Sequence, residues 1–139
     1  MTAKEYLRRA YTLDCEIKAK QLQIERLQSI ANQTTGMYEA LRVSGTSSRS
    51  KLENGVLDIM ELKDELGIMM TRYRATYREI MSTIEIVRNP TYRQLLNLRY
   101  LCFLKWEEVA VQMGYSFRNV IRLHGEALKR IIVPAEKMS

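Results

Sequence analysis

Along residues 6–31, side chains recur at alternating spacings of four and three. The members are Tyr6, Ala10, Leu13, Ile17, Lys20, Ile24, Leu27 and Ala31, and only Lys20 is polar. A longer series follows: Leu52, Val56, Ile59, Lys63, Leu66, Met70, Tyr73, Tyr77, Ile80, Ile84 and Val87, again broken by one lysine. A mean spacing of about 3.5 residues keeps each series on one stripe of a helix and suits a coiled coil. Between the two lies NQTTGMYEALRVSGTSSRS, residues 32–50, whose Gly, Ser and Thr content predicts a loop, flexible toward Ser44–Ser50. Folded back antiparallel, the two helices pair Ala31 with Leu52 and Ile24 with Ile59, and bring Lys20 level with Lys63. Facing ammoniums repel, so both tips are expected to turn outward to Glu16, Asp64 or solvent. The alternative is a polar layer in a larger bundle, with a partner chain supplying the carboxylates.

After residue 88 the pattern changes. Asn89-Pro90 ends the second helix and opens another, because proline disfavours helical geometry before it and asparagine is a good N-cap. A short helix is predicted over 90–101, with Tyr92, Leu95, Leu96 and Leu98 available for burial. Lys105–Met113 is amphipathic, with Trp106, Val109, Ala110 and Met113 on one side. Gly114 follows where a helix C-cap needs positive φ, and Ser116 can cap a helix running from Phe117 to about Ile132. Helix, glycine turn and capped helix make a helix-turn-helix. The fold expected is all-α: an antiparallel coiled-coil helical hairpin over 1–88, then a helix-turn-helix domain over 89–139.

Composition removes several classes. The chain has 139 residues, 46% hydrophobic, with only 6 Gly and 2 Pro, which suits long helices better than turn-rich β folds. No apolar run approaches the ~20 residues of a membrane span, and the charged N-terminus lacks a signal-peptide core. Cys15 and Cys102 are too far apart for a metal knuckle and read as reduced and inert, with Cys102 buried. With His124 the single histidine, no metal site, cofactor or catalytic constellation is expected, and the chain does not read as an enzyme. The location expected is cytoplasmic.

The net charge of +6 is unevenly placed. Residues 88–139 hold nine Lys/Arg against four Asp/Glu, which leaves +1 for the first 87 residues. On the last helix Val120, Leu123, Ala127 and Ile131 form the apolar face, while Arg118, Arg122, Gly125 and Lys129 run opposite, with Asn119 beside them. Arginine reads a guanine edge bidentately and asparagine an adenine edge, and recognition helices present their N-terminal residues to the major groove. Backbone amides near Ser116 can hold a phosphate, and Phe117 and Ile121 can touch thymine methyls. The bland alternative is an ordinary solvated helix face.

The stretch LLNLRYLCFLKWEEVAVQMGYSFRNVIRLHGEALKRI, residues 95–131, resembles region four of bacterial sigma factors. Leu98-Arg99-Tyr100, Trp106-Glu107-Glu108-Val109-Ala110, Gly114-Tyr115-Ser116 and Ala127-Leu128 match that pattern in order. With its MTAKEYLRRAY opening and heptad arm, the whole chain resembles a family of small sigma-factor-like proteins from phages and prophages of Gram-positive bacteria. These are described as late-gene transcriptional activators related to the RinA and ArpU types. The resemblance implies that Phe117, Arg118, Ile121 and Arg122 face the groove, that Ser116 and Lys105 approach the backbone, and that RNA polymerase is a further partner. Two departures stand out: the chain has no counterpart of sigma region two, and Gly125 puts no side chain where a longer one could reach DNA. A complete sigma factor is therefore not expected.

Other residues read more plainly. Trp106 is expected to anchor the small domain's core, and His124 to pack or touch a phosphate. Glu107 and Glu108 favour a helix start, with Glu108 placed to pair with Arg99. Arg72, Arg74 and Arg78 read as a solvated patch on the arm, with auxiliary DNA contact as the alternative. The function expected is sequence-specific binding of double-stranded DNA for transcriptional control, most simply activation of phage late genes in a bacterial host. A homodimer or higher homo-oligomer would form through the arm. The competing readings are a DNA-packaging subunit of the small-terminase type and an interaction protein that binds RNA polymerase without DNA.

Overall fold

In a computed structural model of the protein the described residues are 1–40 and 46–135, with side chains described outside 34–52. Every element is helical, and no strand occurs among the described residues. Two long helices, α1 (Ala3–Ala40) and α2 (Thr46–Glu85), precede three short ones: α3 (Pro90–Leu96), α4 (Trp106–Met113) and α5 (Phe117–Lys129). A π-helical turn, Asn97–Leu101, continues α3. The loop expected at 32–50 is thus helical over 32–40 and 46–50, while residues 41–45 lie outside the described part. A lone glycine such as Gly36 costs a helix only about 1 kcal/mol, so it need not end one. No helix among the described residues is long and apolar enough to cross a membrane.

The chain divides into two compact units. A middle unit spans Cys15–Arg72, and an end unit joins Met1–Asp14 to the chain from Tyr73 onward. The end unit therefore takes in residues 1–14 and 73–88, which the hydrophobic pattern alone groups with the arm.

In the middle unit α1 and α2 run antiparallel. Lys20 Nζ pairs with Glu65 Oε2 at 3.0 Å, and further along α1, Gln28, Ala31 and Asn32 share a shallow groove with Val56, Ile59 and Lys63. The α1 stripe is the predicted one: Ile17 and Ile24 are buried, and Leu13, Lys20, Leu27 and Ala31 are half-buried. The α2 stripe is shifted in phase. Ile59 is buried and Leu62, Leu66 and Met69 are half-buried, whereas Val56, Lys63 and Met70 are exposed. Lys20 and Lys63 therefore do not face each other. Burying Leu62 rotates Lys63 to solvent and lets Lys20 reach Glu65, rather than Glu16 or Asp64.

In the end unit the predicted positions Tyr73, Tyr77, Ile80, Ile84 and Val87 are all buried or half-buried, and Thr76 and Thr83, also buried, widen the face. The Tyr6 phenol donates to Glu79 Oε1 at 2.9 Å and lies 3.1 Å from Thr83 Oγ1, so the polar seam is matched by a polar partner. Leu7, Ile80, Ile84, Leu95, Leu96, Val109 and Val120 are fully buried and form the core. Truncating one of these leucines or isoleucines to Ala should cost about 2–5 kcal/mol.

Asn89 caps α3 as predicted, its Oδ1 accepting from Thr91 N at 2.9 Å and Tyr92 N at 3.4 Å. The predicted helix over 90–101 is α-helical only to Leu96, and it then widens. The extra residue per turn carries Tyr100 and Leu101 inward and leaves Cys102, expected to be buried, exposed. Tyr77 on α2 fixes this turn by donating to Leu101 O at 3.2 Å, and Arg99 Nη1 donates to Leu104 O at 2.9 Å. Phe103, between them in sequence, takes a left-handed φ of 59°.

Candidate nucleic-acid interface

The α4–α5 pair is closed by local chemistry. Gly114 has φ 71°, ψ 29°, the left-handed geometry in which a Cβ is disfavoured, and Tyr115 N donates back to Ala110 O at 3.0 Å. Ser116 is extended, and its Oγ accepts from Asn119 N at 3.1 Å, starting α5 where the sequence places the start. Ala110, Val120 and Ala127 are buried between the short helices, with Leu123 and Met113 packed against them.

The opposite face of α5 is open. Arg118, Arg122 and Lys129 are exposed, and Phe117 and Ile121 keep 49% and 41% of their surface, large for apolar side chains on a packed helix. Arg122 Nη2 donates to Asn119 Oδ1 at 2.9 Å, so two of the expected base-reading residues hold one another. Ser116, Phe117, Arg118, Asn119, Ile121 and Arg122 fall within the first two turns of α5 and its cap. Lys129 lies at the far end and is partly neutralised by Glu126 at 3.3 Å. At Gly125 a Cβ would meet nothing within 4 Å, so the gap in the stripe reflects no packing demand.

Lys105 stands apart from this group. It caps α4 and lines a recess together with Arg99 and Trp106, in which no α5 residue takes part. Glu108 Oε1 accepts from Lys105 N at 3.1 Å; it does not pair with Arg99, which is engaged with Leu104 O. The Arg99 guanidinium lies 4.6 Å from the centre of the Trp106 ring. Trp106 is half-buried, packed against the core on one side and open to the recess on the other. His124 sits against Trp106, ring centres 4.4 Å apart, and 2.6 Å from the Tyr100 phenol. Burial, then the nearby Lys4 and Arg99 charges, push its pKa down to about 4, so the ring is neutral and structural near pH 7.

Lys4, Arg8 and Tyr11 also line this recess and were not singled out from the sequence. Their spacing of four and three places them on one face of α1, beside the Tyr6–Ala10 stripe. Comparisons with protein-family models, with curated proteins and with solved structures find no match for this chain.

Proposed function

We propose that the protein is a sequence-specific, double-stranded-DNA-binding transcriptional regulator, most simply an activator of phage late genes. In this reading α4 and α5 are a helix-turn-helix of the sigma region-four kind, carried on an antiparallel coiled-coil arm. The observation that supports it most is the exposed N-terminal half of α5, where Asn119 orients the Arg122 guanidinium beside a free Arg118 face. An arginine held by a neighbouring amide is suited to a base edge, while Ser116 and the first amides of α5 suit a phosphate. Phosphate neutralisation would supply affinity, and Arg118, Asn119 and Arg122 the selectivity.

One recognition helix reads few base pairs, so the reading includes a homodimer or higher oligomer. The outer face of α2 in the middle unit supports it: Leu57 and Ile68 are 61% and 66% exposed. A ring-like assembly in solution would favour the DNA-packaging alternative, and a dimer the regulator.

The test is binding to fragments of the source genome at several salt concentrations, with Arg118→Ala and Arg122→Ala beside the parent. The expected result is competitor-resistant binding that weakens by about 1–3 kcal/mol per lost base contact. Salt-sensitive binding without sequence preference would overturn the reading.

A further inference from the structure

Four cations converge where α1, the π-helical turn and the start of α4 meet in the end unit. Lys4 and Arg8 come from the first turns of α1, Arg99 from the turn, and Lys105 from the cap of α4; together they surround a recess of about 270 Å³. None of the lining residues is acidic. Among the described residues Lys4, Arg8 and Lys105 take part in no ion pair, and Arg99 is met by a carbonyl and the Trp106 ring but by no carboxylate. Like charges gathered this way repel, and folding alone gives no reason to collect them. Their field reaches the interior, where Lys4 and Arg99 help to keep His124 uncharged.

The remaining walls are aromatic. Tyr11 and Phe103 meet edge to face with ring centres 5.6 Å apart, and Trp106, its ring in contact with Arg99 and His124, also lines the same space. The backbone here is irregular as well: Arg99 and Tyr100 ride on the π-helical turn, and Phe103 holds a left-handed φ that is costly for a bulky residue. A volume of this size lies near the lower end for small-molecule pockets, roughly 300 Å³ upward.

We infer that the recess is a phosphate-ester site, in which Lys4, Arg8, Arg99 and Lys105 take a phosphate or polyphosphate and the ring walls take the planar ring it carries. The ligand class is a nucleoside phosphate, either free or as one nucleotide of a nucleic-acid strand. Arginine supplies forked donors and lysine point charges, a combination suited to phosphate oxygens. The site uses none of the α5 residues on which the DNA reading rests and shares with it only Lys105, which a Lys4→Gln/Arg8→Gln variant leaves in place, so the two are tested separately.

Trp106 is the protein's single tryptophan and lines the recess, so its emission reports occupancy directly. The full chain is titrated with adenosine and guanosine triphosphates, pyrophosphate and a polyglutamate peptide at two salt concentrations. The expected result is a saturable change with the nucleotides that weakens with salt. Binding should fall about tenfold or more in a Lys4→Gln/Arg8→Gln variant, and stay within about twofold of the parent in Arg88→Gln, a charge removed elsewhere. Both changed cations are exposed, and circular dichroism melts matching the parent establish that the variants fold. Duplex DNA is then added: displacement of the nucleotide assigns the phosphate to a strand, and no displacement assigns it to a free nucleotide. Absence of saturation, an unchanged affinity in the double variant, or equal binding of polyglutamate would overturn the inference.

Discussion

The Tyr100 phenol oxygen lies 2.6 Å from His124 Nε2, and the shifts of both groups favour a phenol donating to a neutral imidazole. Burial, outweighing the nearby Arg99 and Arg8, raises Tyr100 to about 12, while His124 is pushed down to about 4. Because the folded value of His124 lies below its ordinary 6.5, the unfolded chain takes up the proton first. The corresponding stability is complete above pH 6.5 and is lost as the pH falls toward 4. Discounted for the ring's partial exposure, the loss should be about 2 kcal/mol. Urea midpoints measured between pH 7 and 4 check this against His124→Gln, which should flatten that part of the profile; equal slopes in the two proteins would refute it.

The turn between α4 and α5 rests on two local devices. Ser116→Ala removes the acceptor for Asn119 N and should cost about 1 kcal/mol. Gly114→Ala should cost about 1–2 kcal/mol through backbone strain alone, since its Cβ would have open space around it. Chemical denaturation of each variant gives both numbers, and a neutral Gly114→Ala would mean that the turn is not left-handed.

The shifted stripe of α2 makes a paired prediction. Leu62→Ala should destabilise by about 1–2 kcal/mol, below the fully buried range because the side chain is half-buried. Lys63→Ala, a change at an exposed position, should stay within about 0.5 kcal/mol. The reverse order in thermal melts would restore the stripe read from heptad spacing.

Asn119 and Arg122 should not contribute independently to DNA binding. The amide of Asn119 restrains the guanidinium, so the loss in Asn119→Ala/Arg122→Ala should fall short of the sum of the single losses by about 0.5 kcal/mol or more. Competition titrations on a selected operator measure this, and strict additivity would show that the contact has no part in recognition.

What was legible in the sequence is what local chemistry decides. The all-helical class, the caps at Asn89 and Ser116, the glycine turn at 114 and the α1 stripe each depend on residues within a few positions of one another. The α2 stripe was misphased only in the middle unit; from Tyr73 on, the predicted Tyr73, Tyr77, Ile80, Ile84 and Val87 are all buried or half-buried, and the buried Thr76 and Thr83, polar by type, widen that face. Met69-Met70 also offers two stripes to any count of apolar positions, and at Leu62-Lys63 heptad spacing puts the lysine on the stripe. The π-helical turn was hidden because it depends on the Tyr77 phenol, 24 residues away in sequence from the carbonyl it meets. On α5 the exposed arginines were legible, whereas the contact between Asn119 and Arg122 needed side-chain geometry. The grouping of Lys4 and Arg8 with Arg99 and Lys105 is tertiary, and no window of sequence contains it.

The end unit is discontinuous: the chain leaves it after Asp14 and returns at Tyr73. Topologically the middle unit is an insertion, and its residues form a loop that must close before Leu7 can meet Ile80 and Ile84. For 58 flexible residues, the length of Cys15–Arg72, the length-dependent closure entropy alone amounts to about 3.6 kcal/mol. If α1 and α2 pair within the insertion first, the two strands of chain at its mouth are already side by side and that entropy is largely spent. In that order of events the Lys20–Glu65 level would belong to the folding route as much as to the final structure, since its formation would turn a distant encounter into a neighbouring one.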